Sequence, residues 1–359
     1  MAKTLKFINK DKQQYMATLR KNVNDYFKEK GISPKGGWKI ILKSIIMMTI
    51  YIAPFIIMLT VNMSAWIMLP MIILMGIGMA GIGMSVMHEG VHGSSSSKGW
   101  VNKLLGGSMY TLGSNVFNWK IQHNILHHSF TNIDGYDEDI QSRVIIRLSK
   151  HAPLWKIHRF QYIYAFFLYS LLTINRMVGD FKLFWAYNKA GFAKQHQVKP
   201  AIEYMYMIAA KAIYLFITIG LPLLLTNLAW WQVLLGFFIM HLVAGAIMST
   251  VFQMAHQVEG LVQPLPNSDG NIENEWATHQ MYTTANFSRN NRFLSWFVGG
   301  LNFQIEHHLF PNINHIHYRN ISVIVEKTAY DFGLPYIKNA SFRQAFVSHV
   351  RTLKALGRR

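Results

Sequence analysis

The chain has 359 residues, of which 51% are hydrophobic and only 14% are charged, and its formal net charge is +18. It contains no cysteine, which excludes a disulfide framework, a cysteine nucleophile and an iron–sulfur cluster. The apolar fraction is high enough for membrane-spanning segments, and basic residues spread along the whole chain argue against a nucleic-acid-binding module.

The N-terminal region predicts an amphipathic helix rather than a secretory signal, because no apolar stretch occurs before residue 40. Between residues 11 and 30, Tyr15, Leu19, Val23 and Phe27 recur every four residues among lysines, which is typical of an amphipathic helix. Such a helix lies either on a membrane surface or on the protein itself. We favour packing against the protein.

Four apolar runs are each long enough to cross the hydrocarbon core of a bilayer, which takes about 20 helical residues. They form two pairs, and a turn of only a few residues joins the members of each pair. The sequence therefore predicts two transmembrane helical hairpins. Their four runs are 44–62, 65–87, 204–225 and 232–255.

The distribution of basic residues predicts the orientation of these hairpins. Lysine and arginine number 11 before residue 44, 13 in 88–204 and 10 after residue 255; the remaining one is Lys211, inside the third run. Cytoplasmic segments of membrane proteins carry the excess of basic residues. Both termini and the middle segment are therefore predicted to be cytoplasmic, beside anionic lipid headgroups.

The fold class predicted is an all-α integral membrane protein, with four transmembrane helices as two hairpins and a cytoplasmic helical cap. Two further apolar stretches, 104–117 and 162–172, are too short to cross and predict interfacial or re-entrant helices. The acidic cluster 134–139 predicts a solvated turn. We predict one domain, 1–359, made of an N-terminal cytoplasmic segment 1–43, a first hairpin 44–87, a cytoplasmic segment 88–204, a second hairpin 205–255 and a cytoplasmic segment 256–359.

Three histidine clusters predict a metal site. They read HEGVH (88–92), HNILHH (123–128) and QIEHH (304–308). On a helix, residues three or four apart share a face, and imidazole is a good ligand for iron, copper, nickel and zinc. In the predicted topology all three clusters lie on the cytoplasmic side, so one site can gather them. Their histidines are His88, His92, His123, His127, His128, His307 and His308.

His256 is an eighth candidate ligand, because it ends the fourth apolar run as His88 ends the second. Eight imidazoles are too many for one metal ion and suit two. His241 lies 15 residues earlier, which is about 22 Å along a continuous helix. We therefore expect His241 to hydrogen-bond within the membrane rather than to bind the metal.

The three clusters resemble the histidine boxes of the integral-membrane fatty acid desaturase family, and the third continues as Leu309-Phe310-Pro311. The resemblance covers the chain from the first apolar run to Pro311. It implies a non-haem di-iron centre held by the seven box histidines and His256, with no catalytic residue beyond the metal ligands. It also implies O₂ as co-substrate and insertion of a cis double bond into a fatty acyl chain, carried on coenzyme A or on a lipid.

Gln304 opens the third box where other members have histidine, which is similar to the front-end branch of the family. Members of that branch insert a double bond between an existing one and the carboxyl end. Two features depart from the family pattern: Glu89 stands where aspartate is common, and this sequence lacks the His-Pro-Gly-Gly motif of a fused cytochrome b5 domain. We therefore expect a separate electron donor, either a ferredoxin or a cytochrome b5-type protein with its reductase.

Several other residues are candidates for supporting roles, because metal-bound histidines usually hydrogen-bond through the free ring nitrogen. Gln304 and His279 are possible metal ligands or partners of ligands. Asn124, Glu306 and Asp139 are predicted to orient the box imidazoles.

Four other functions match part of the histidine pattern. HEGVH also matches the zinc-peptidase signature, with Glu89 as general base, but that reading leaves most of the other histidines unexplained. Soluble di-iron bundles need two Glu-x-x-His pairs, and only Glu89–His92 has that spacing. A non-enzymatic metal-binding membrane protein would not need three cytoplasmic clusters. Di-iron fatty acyl hydroxylases and acetylenases use the same kind of site and remain an alternative.

Overall fold

The structure, a computed structural model, describes residues 5–9, 14–140 and 144–358. The chain forms two compact units, each built from separated segments. The membrane unit comprises 37–121 and 166–250, and the histidine unit comprises the described residues of 1–36, 122–165 and 251–359. The prediction of a single domain stays a prediction.

Four helices within the described residues are long and apolar enough to cross a membrane. This confirms the four predicted runs. The second contains a π-helical segment, Ile82–Met87, and the third contains another, Phe216–Gly220. The four spans are Trp38–Thr60, Ala65–Val91, Pro200–Leu225 and Trp230–His256.

The first span begins six residues before the predicted boundary at Ser44. The predicted run starts at Ser44, directly after Lys43, but Lys39 and Lys43 are both part of the helix. A lysine near a helix end can bury its aliphatic stem and extend its ammonium group away from the apolar phase. Because the predicted run was limited to uncharged residues, its start lies six residues after the start of the helix.

Shorter helices complete the membrane unit. The apolar stretch 104–117 contains the end of one α-helix, a 3₁₀ turn and the start of a further short helix, and so has no element long enough to cross. These helices are Gly99–Gly107, the 3₁₀ turn Ser108–Leu112, Val116–Trp119, Leu172–Lys189 and Phe192–Gln195.

Glycines bring the helices of the membrane unit into close contact. A Cβ atom on Gly76 of the second span would lie 2.7 Å from the Met240 carbonyl of the fourth. One on Gly78 would lie 2.8 Å from the backbone nitrogen of Tyr51 in the first span. Gly245 is tighter still, at 2.2 Å from the Ser170 carbonyl. A larger residue at these positions would displace the neighbouring backbone, so the glycines allow close helix packing.

A buried ion pair connects the third span to the helix Leu172–Lys189. Lys211 Nζ lies 2.8 Å from Asp180 Oδ2 and donates a second hydrogen bond to the Gly113 carbonyl. Asp180 also accepts hydrogen bonds from the backbone of Asn115 and the side chain of Asn118. Lys211, the basic residue inside the third span, is therefore fully partnered, as a charge in an apolar environment requires.

The histidine unit consists of short helices and two pairs of two-residue parallel strands. Lys6–Phe7 pairs with Asn271–Ile272, and Asn286–Phe287 pairs with Lys338–Asn339. Its helices, some of which continue into the membrane unit, are Tyr15–Lys30, the π-helix Lys120–His127, His128–Phe130, the 3₁₀ turns Glu138–Ile140 and Lys156–Phe160, Gln161–Ser170, Trp276–Thr283, Arg292–Phe297, Gln304–Leu309, the 3₁₀ turn His315–His317, Tyr318–Asp331 and Phe342–Leu356.

The predicted amphipathic helix begins at Tyr15 and ends at Lys30, and residues 11–13 of the predicted range lie outside the described residues. Its apolar side, including Leu19 and Val23, is buried in a core shared with the helix Tyr318–Asp331. A hydrogen bond from Asn22 Nδ2 to Thr328 Oγ1, 3.2 Å long, joins the same two helices. The preference for packing against the protein is confirmed.

We predict that Lys211→Met lowers the free energy of unfolding by about 3–5 kcal/mol, because it leaves the buried Asp180 carboxylate without its cation. The double variant Asp180→Asn/Lys211→Met should recover much of this loss. Thermal and denaturant unfolding of the detergent-solubilised protein measures both effects. Lys182→Met, on the exposed side of the Asp180 helix, is the matched control and should change stability by less than about 0.5 kcal/mol. Equal stability of Lys211→Met and the wild type would contradict the assignment.

Candidate metal centre

The second histidine box lies on a helical segment with changing geometry. It begins as an α-helix, Val116–Trp119, continues as the π-helix Lys120–His127 and ends as His128–Phe130. A π-helix places residues five apart in register. His123 and His128 accordingly converge, with 3.3 Å between their Nε2 atoms. The sequence predicted that these histidines share one site, but it did not predict the π-helix that brings His123 and His128 this close.

The third box supplies two buried histidines on the helix Gln304–Leu309. The Nε2 atom of His307 lies 3.1 Å from that of His128. We call His123, His128 and His307 cluster A. Two nitrogens bound at right angles to one ion lie about 3 Å apart when each metal–nitrogen distance is about 2.1 Å. The spacing in cluster A therefore fits imidazoles that share a metal ion.

Cluster B consists of His127, His256 and His308, whose ligand nitrogens all lie within 4.8 Å of one another. His256 is the last residue of the fourth span, on a helix that is continuous from Trp230. All three side chains are buried. The structure thus brings His256, which lies outside the boxes, together with one histidine of the second box and one of the third.

The Nδ1 atoms of cluster B each have an oxygen partner. His127 Nδ1 lies 3.1 Å from Asp137 Oδ1, His308 Nδ1 lies 2.9 Å from Gln280 Oε1, and His256 Nδ1 lies 3.5 Å from the Thr283 carbonyl. A proton held on Nδ1 leaves the Nε2 lone pair available to a ligand. The buried Nε2 atoms of His127 and His308 make no hydrogen bond to any described residue. This donor set fits a metal ion.

The electrostatic environment favours neutral imidazole at His308. Burial and the neighbouring imidazoles hold the pKa of His308 well below its usual value, so a proton does not compete with a metal there. Burial also lowers the pKa of His127, but Asp137 and Asp139 outweigh that effect and raise it to about 9. The same carboxylates would stabilise the positive charge of a bound metal ion.

The first box lies at the end of the second span, in the membrane unit. The π-helical segment Ile82–Met87 leads directly into the short α-helix His88–Val91. The ring centroids of His88 and His92 are 4.7 Å apart, and both rings contact the indole of Trp119. The predicted i, i+4 pairing of these two histidines is therefore present.

The sequence profile of the fatty acid desaturase family matches residues 64–340. The chain belongs to the fatty acid desaturase family. It is 32% identical to the sn-1 linoleoyl-lipid 6-desaturase of Synechocystis sp. over 360 aligned positions, which cover 99% of each protein. It is also 32% identical to the acyl-lipid (8-3)-desaturase of Physcomitrium patens, covering 99% of this chain and 74% of that protein. An sn-1 linoleoyl-lipid 6-desaturase of Arthrospira platensis is 29% identical, over 94% of this chain and 91% of its own length. This protein is thus a membrane fatty acyl desaturase, an oxidoreductase of lipid metabolism.

The other candidate residues of the desaturase take different positions. Gln304 Nε2 lies 2.8 Å from His256 Nε2, directly beside cluster B. His279 donates from Nε2 to the Thr131 carbonyl, and the Thr131 hydroxyl in turn contacts His308 Nδ1. Glu306 accepts hydrogen bonds from Asn286 and Tyr336, and burial raises the pKa of Glu306 to about 7.

Two further candidates lie on or near the second box. Asn124 is partly buried on the π-helix. Asp139 Oδ2 lies 3.4 Å from His127 Nδ1, beside a ligand candidate as predicted for an orienting residue.

His241 is bonded through both ring nitrogens, to the hydroxyls of Tyr214 and Thr173, 2.8 and 2.9 Å away. The expectation that His241 hydrogen-bonds within the membrane is confirmed.

Sequence reasoning missed two partners of the desaturase site. Asp137 is buried beneath His127, so the prediction of a solvated acidic turn is wrong for this residue. The short distance in sequence between Asp137 and a box histidine could have indicated this contact. Its acidic neighbours, however, indicated a segment exposed to solvent. Gln280 holds His308 from 28 residues away, and no pattern in the sequence marks it apart from its neighbour His279.

Proposed function

We propose that this desaturase uses a non-haem di-iron centre held by eight histidines. The single observation that carries the proposal is the convergence of six buried imidazoles in the histidine unit, with Nδ1 of each cluster B ring bonded to an oxygen. The i, i+4 pair at the end of the second span would complete the set. The proposed ligands are His88, His92, His123, His127, His128, His256, His307 and His308.

The bound irons would supply, with O₂ as co-substrate, the oxidising chemistry that removes two hydrogens from an unactivated methylene chain. The protein residues have simpler tasks. Asp137 and Gln280 fix the ring orientations of His127 and His308, and burial of the imidazoles excludes water from the site. Gln304 would support His256 from the start of the third box. No residue of the chain needs to act as an additional acid, base or nucleophile.

We infer that the substrate is a fatty acyl group carried on a membrane lipid rather than on coenzyme A. The three similar proteins described above are named for lipid-linked substrates. The glutamine at the head of the third box favours the front-end branch, and so a new double bond on the carboxyl side of an existing one. Electrons would come from a separate ferredoxin or cytochrome b5-type donor with its reductase.

Expression of the chain in a host with simple membrane lipids tests this function. Fatty acids from the host, supplied with an 18-carbon polyunsaturated precursor, should contain a new cis double bond on the carboxyl side of the existing ones. Gas chromatography with mass spectrometry of suitable derivatives gives its position. His308→Ala, present at the same level in the membrane, should yield no product. Accumulation of a hydroxylated chain instead would favour the hydroxylase alternative.

We predict that His256→Ala loses most of the bound iron although His256 lies outside all three boxes. The purified wild type should contain about two irons per chain, and metal analysis by mass spectrometry measures the change. His241→Ala is the matched control, because His241 lies on the same helix but is bonded to Tyr214 and Thr173. It should keep its iron per folded chain. An unchanged iron content in the His256 variant would remove that residue from the ligand set.

We propose two transmembrane hairpins within one domain, with both termini and the site in the cytoplasm. Single cysteines can be introduced without background, because the chain has none. An impermeant thiol reagent applied to intact cells should label Ser64→Cys and Thr226→Cys, at the ends of the spans. It should not label Ser96→Cys or Ser268→Cys until the membrane is opened. Labelling in the opposite pattern would invert the proposed orientation.

A further inference from the structure

Asn132 is a buried residue with an uncommon backbone conformation, four residues after His128. Its φ angle is +59°, and its side chain is fully buried in the histidine unit. Positive φ is unfavourable for most residues but is tolerated by glycine and, more than by others, by asparagine. Such a conformation persists only where the surrounding contacts hold it.

The backbone of Asn132 connects to the first histidine of cluster B. Its N–H donates to Asp137 Oδ2 at 2.8 Å, while Asp137 Oδ1 lies 3.1 Å from His127 Nδ1. The left-handed turn at Asn132 therefore helps to fix the carboxylate that orients the His127 ring.

The side chain of Asn132 connects to the second histidine of the same cluster. Its Nδ2 donates to the backbone carbonyls of His256 and Thr283, at 3.0 and 3.1 Å. The Thr283 carbonyl is also the partner of His256 Nδ1. The Oδ1 atom accepts a hydrogen bond from Gln257 Nε2 at 3.0 Å. Both hydrogens of the Asn132 amide therefore have an acceptor. A carboxylate oxygen in the place of Nδ2 would face the two carbonyl oxygens instead.

We propose that Asn132 is a positioning residue that couples His127 and His256, so that their ring nitrogens converge on one metal ion. This inference rests on the proposed di-iron function. Asn132 can position both histidines because it makes two kinds of contact. Its backbone N–H binds the Asp137 carboxylate beside His127, and its carboxamide binds the His256 carbonyl in the last turn of the fourth span. Partners of metal-bound histidines affect metal affinity by about 10- to 100-fold when removed.

The variant Asn132→Gly tests the carboxamide directly, since glycine keeps the positive φ and the N–H to Asp137. Metal-depleted protein in detergent is titrated with Co²⁺, and binding is followed by the visible absorption of the bound ion. The affinity of the site containing cluster B should fall about 10- to 100-fold. The Co²⁺ affinity of Asn132→Asp should fall at least as far, because a carboxylate oxygen of the new side chain would face the carbonyls of His256 and Thr283.

Gln161→Ala is the matched control for a purely structural effect. Gln161 is fully buried in the same unit, donates from Nε2 to two backbone carbonyls and accepts one hydrogen bond, just as Asn132 does. Its partners are Arg147 and Leu353, none of which is a proposed ligand. Both variants should lower the thermal midpoint, but only the Asn132 variants should weaken Co²⁺ binding. Unchanged affinity in Asn132→Gly, or an equal loss in Gln161→Ala, overturns the inference.

His308→Ala separates this inference from the proposed function. It removes a proposed ligand and should abolish binding at cluster B. If His308→Ala binds Co²⁺ like the wild type, the proposed ligand set itself fails. If His308→Ala loses the ion while Asn132→Gly retains it with full affinity, the ligand set stands and only the role of Asn132 fails.

Discussion

The structure depends on keeping several imidazoles buried and pointed at one another. Several of these rings place Nδ1 against an oxygen atom, which matters because an unpaired buried donor is costly; among them are His127, His256, His307 and His308. The acceptors come from separate parts of the chain: Asp137 follows the second box, Gln280 lies on the helix Trp276–Thr283, and Tyr318 lies against His307 Nδ1. Much of the histidine unit is thus organised around the hydrogen bonds that hold imidazoles in place.

This requirement explains which parts of the site could be predicted from sequence. The boxes are local patterns, and helical geometry translates their spacing directly into a shared face. The spans are also local, since length and hydropathy suffice to find them. Asp137 and Gln280 are different, because only the tertiary fold decides that one carboxylate of an acidic run and one amide of an ordinary helix lie beneath an imidazole. The sequence also placed His123 and His128 in one site, but it did not predict the π-helix between them, because helical spacing alone does not distinguish a π-helix from an α-helix.

The membrane unit contains a buried charge, Lys211, that likewise needs polar partners. Lys211 lies well inside the third span, yet Asp180, the Gly113 carbonyl, Asn115 and Asn118 form a closed polar network around the pair. Asn115 and Asn118 also begin the helix that continues into the second box, since the Asn115 side chain caps it by accepting from the Asn118 backbone. The lysine that charge counting treated as an exception therefore contributes to fixing the start of a ligand-bearing helix.

Gln304 shows how one substitution at a box position can be accommodated. An imidazole there would add another titratable ring beside the three of cluster B, whereas an amide adds hydrogen-bonding capacity without a further basic group. Its Nε2 lies 2.8 Å from His256 Nε2, and its Oε1 makes no hydrogen bond within the described residues. A metal ion held by His256 Nε2, as proposed, would take the lone pair that the amide uses, at the cost of a single hydrogen bond. The Gln304 side chain would then have its oxygen available, and an amide oxygen is a hard ligand. Glutamine at this position is therefore consistent with a site that changes its hydrogen bonding when it takes up metal.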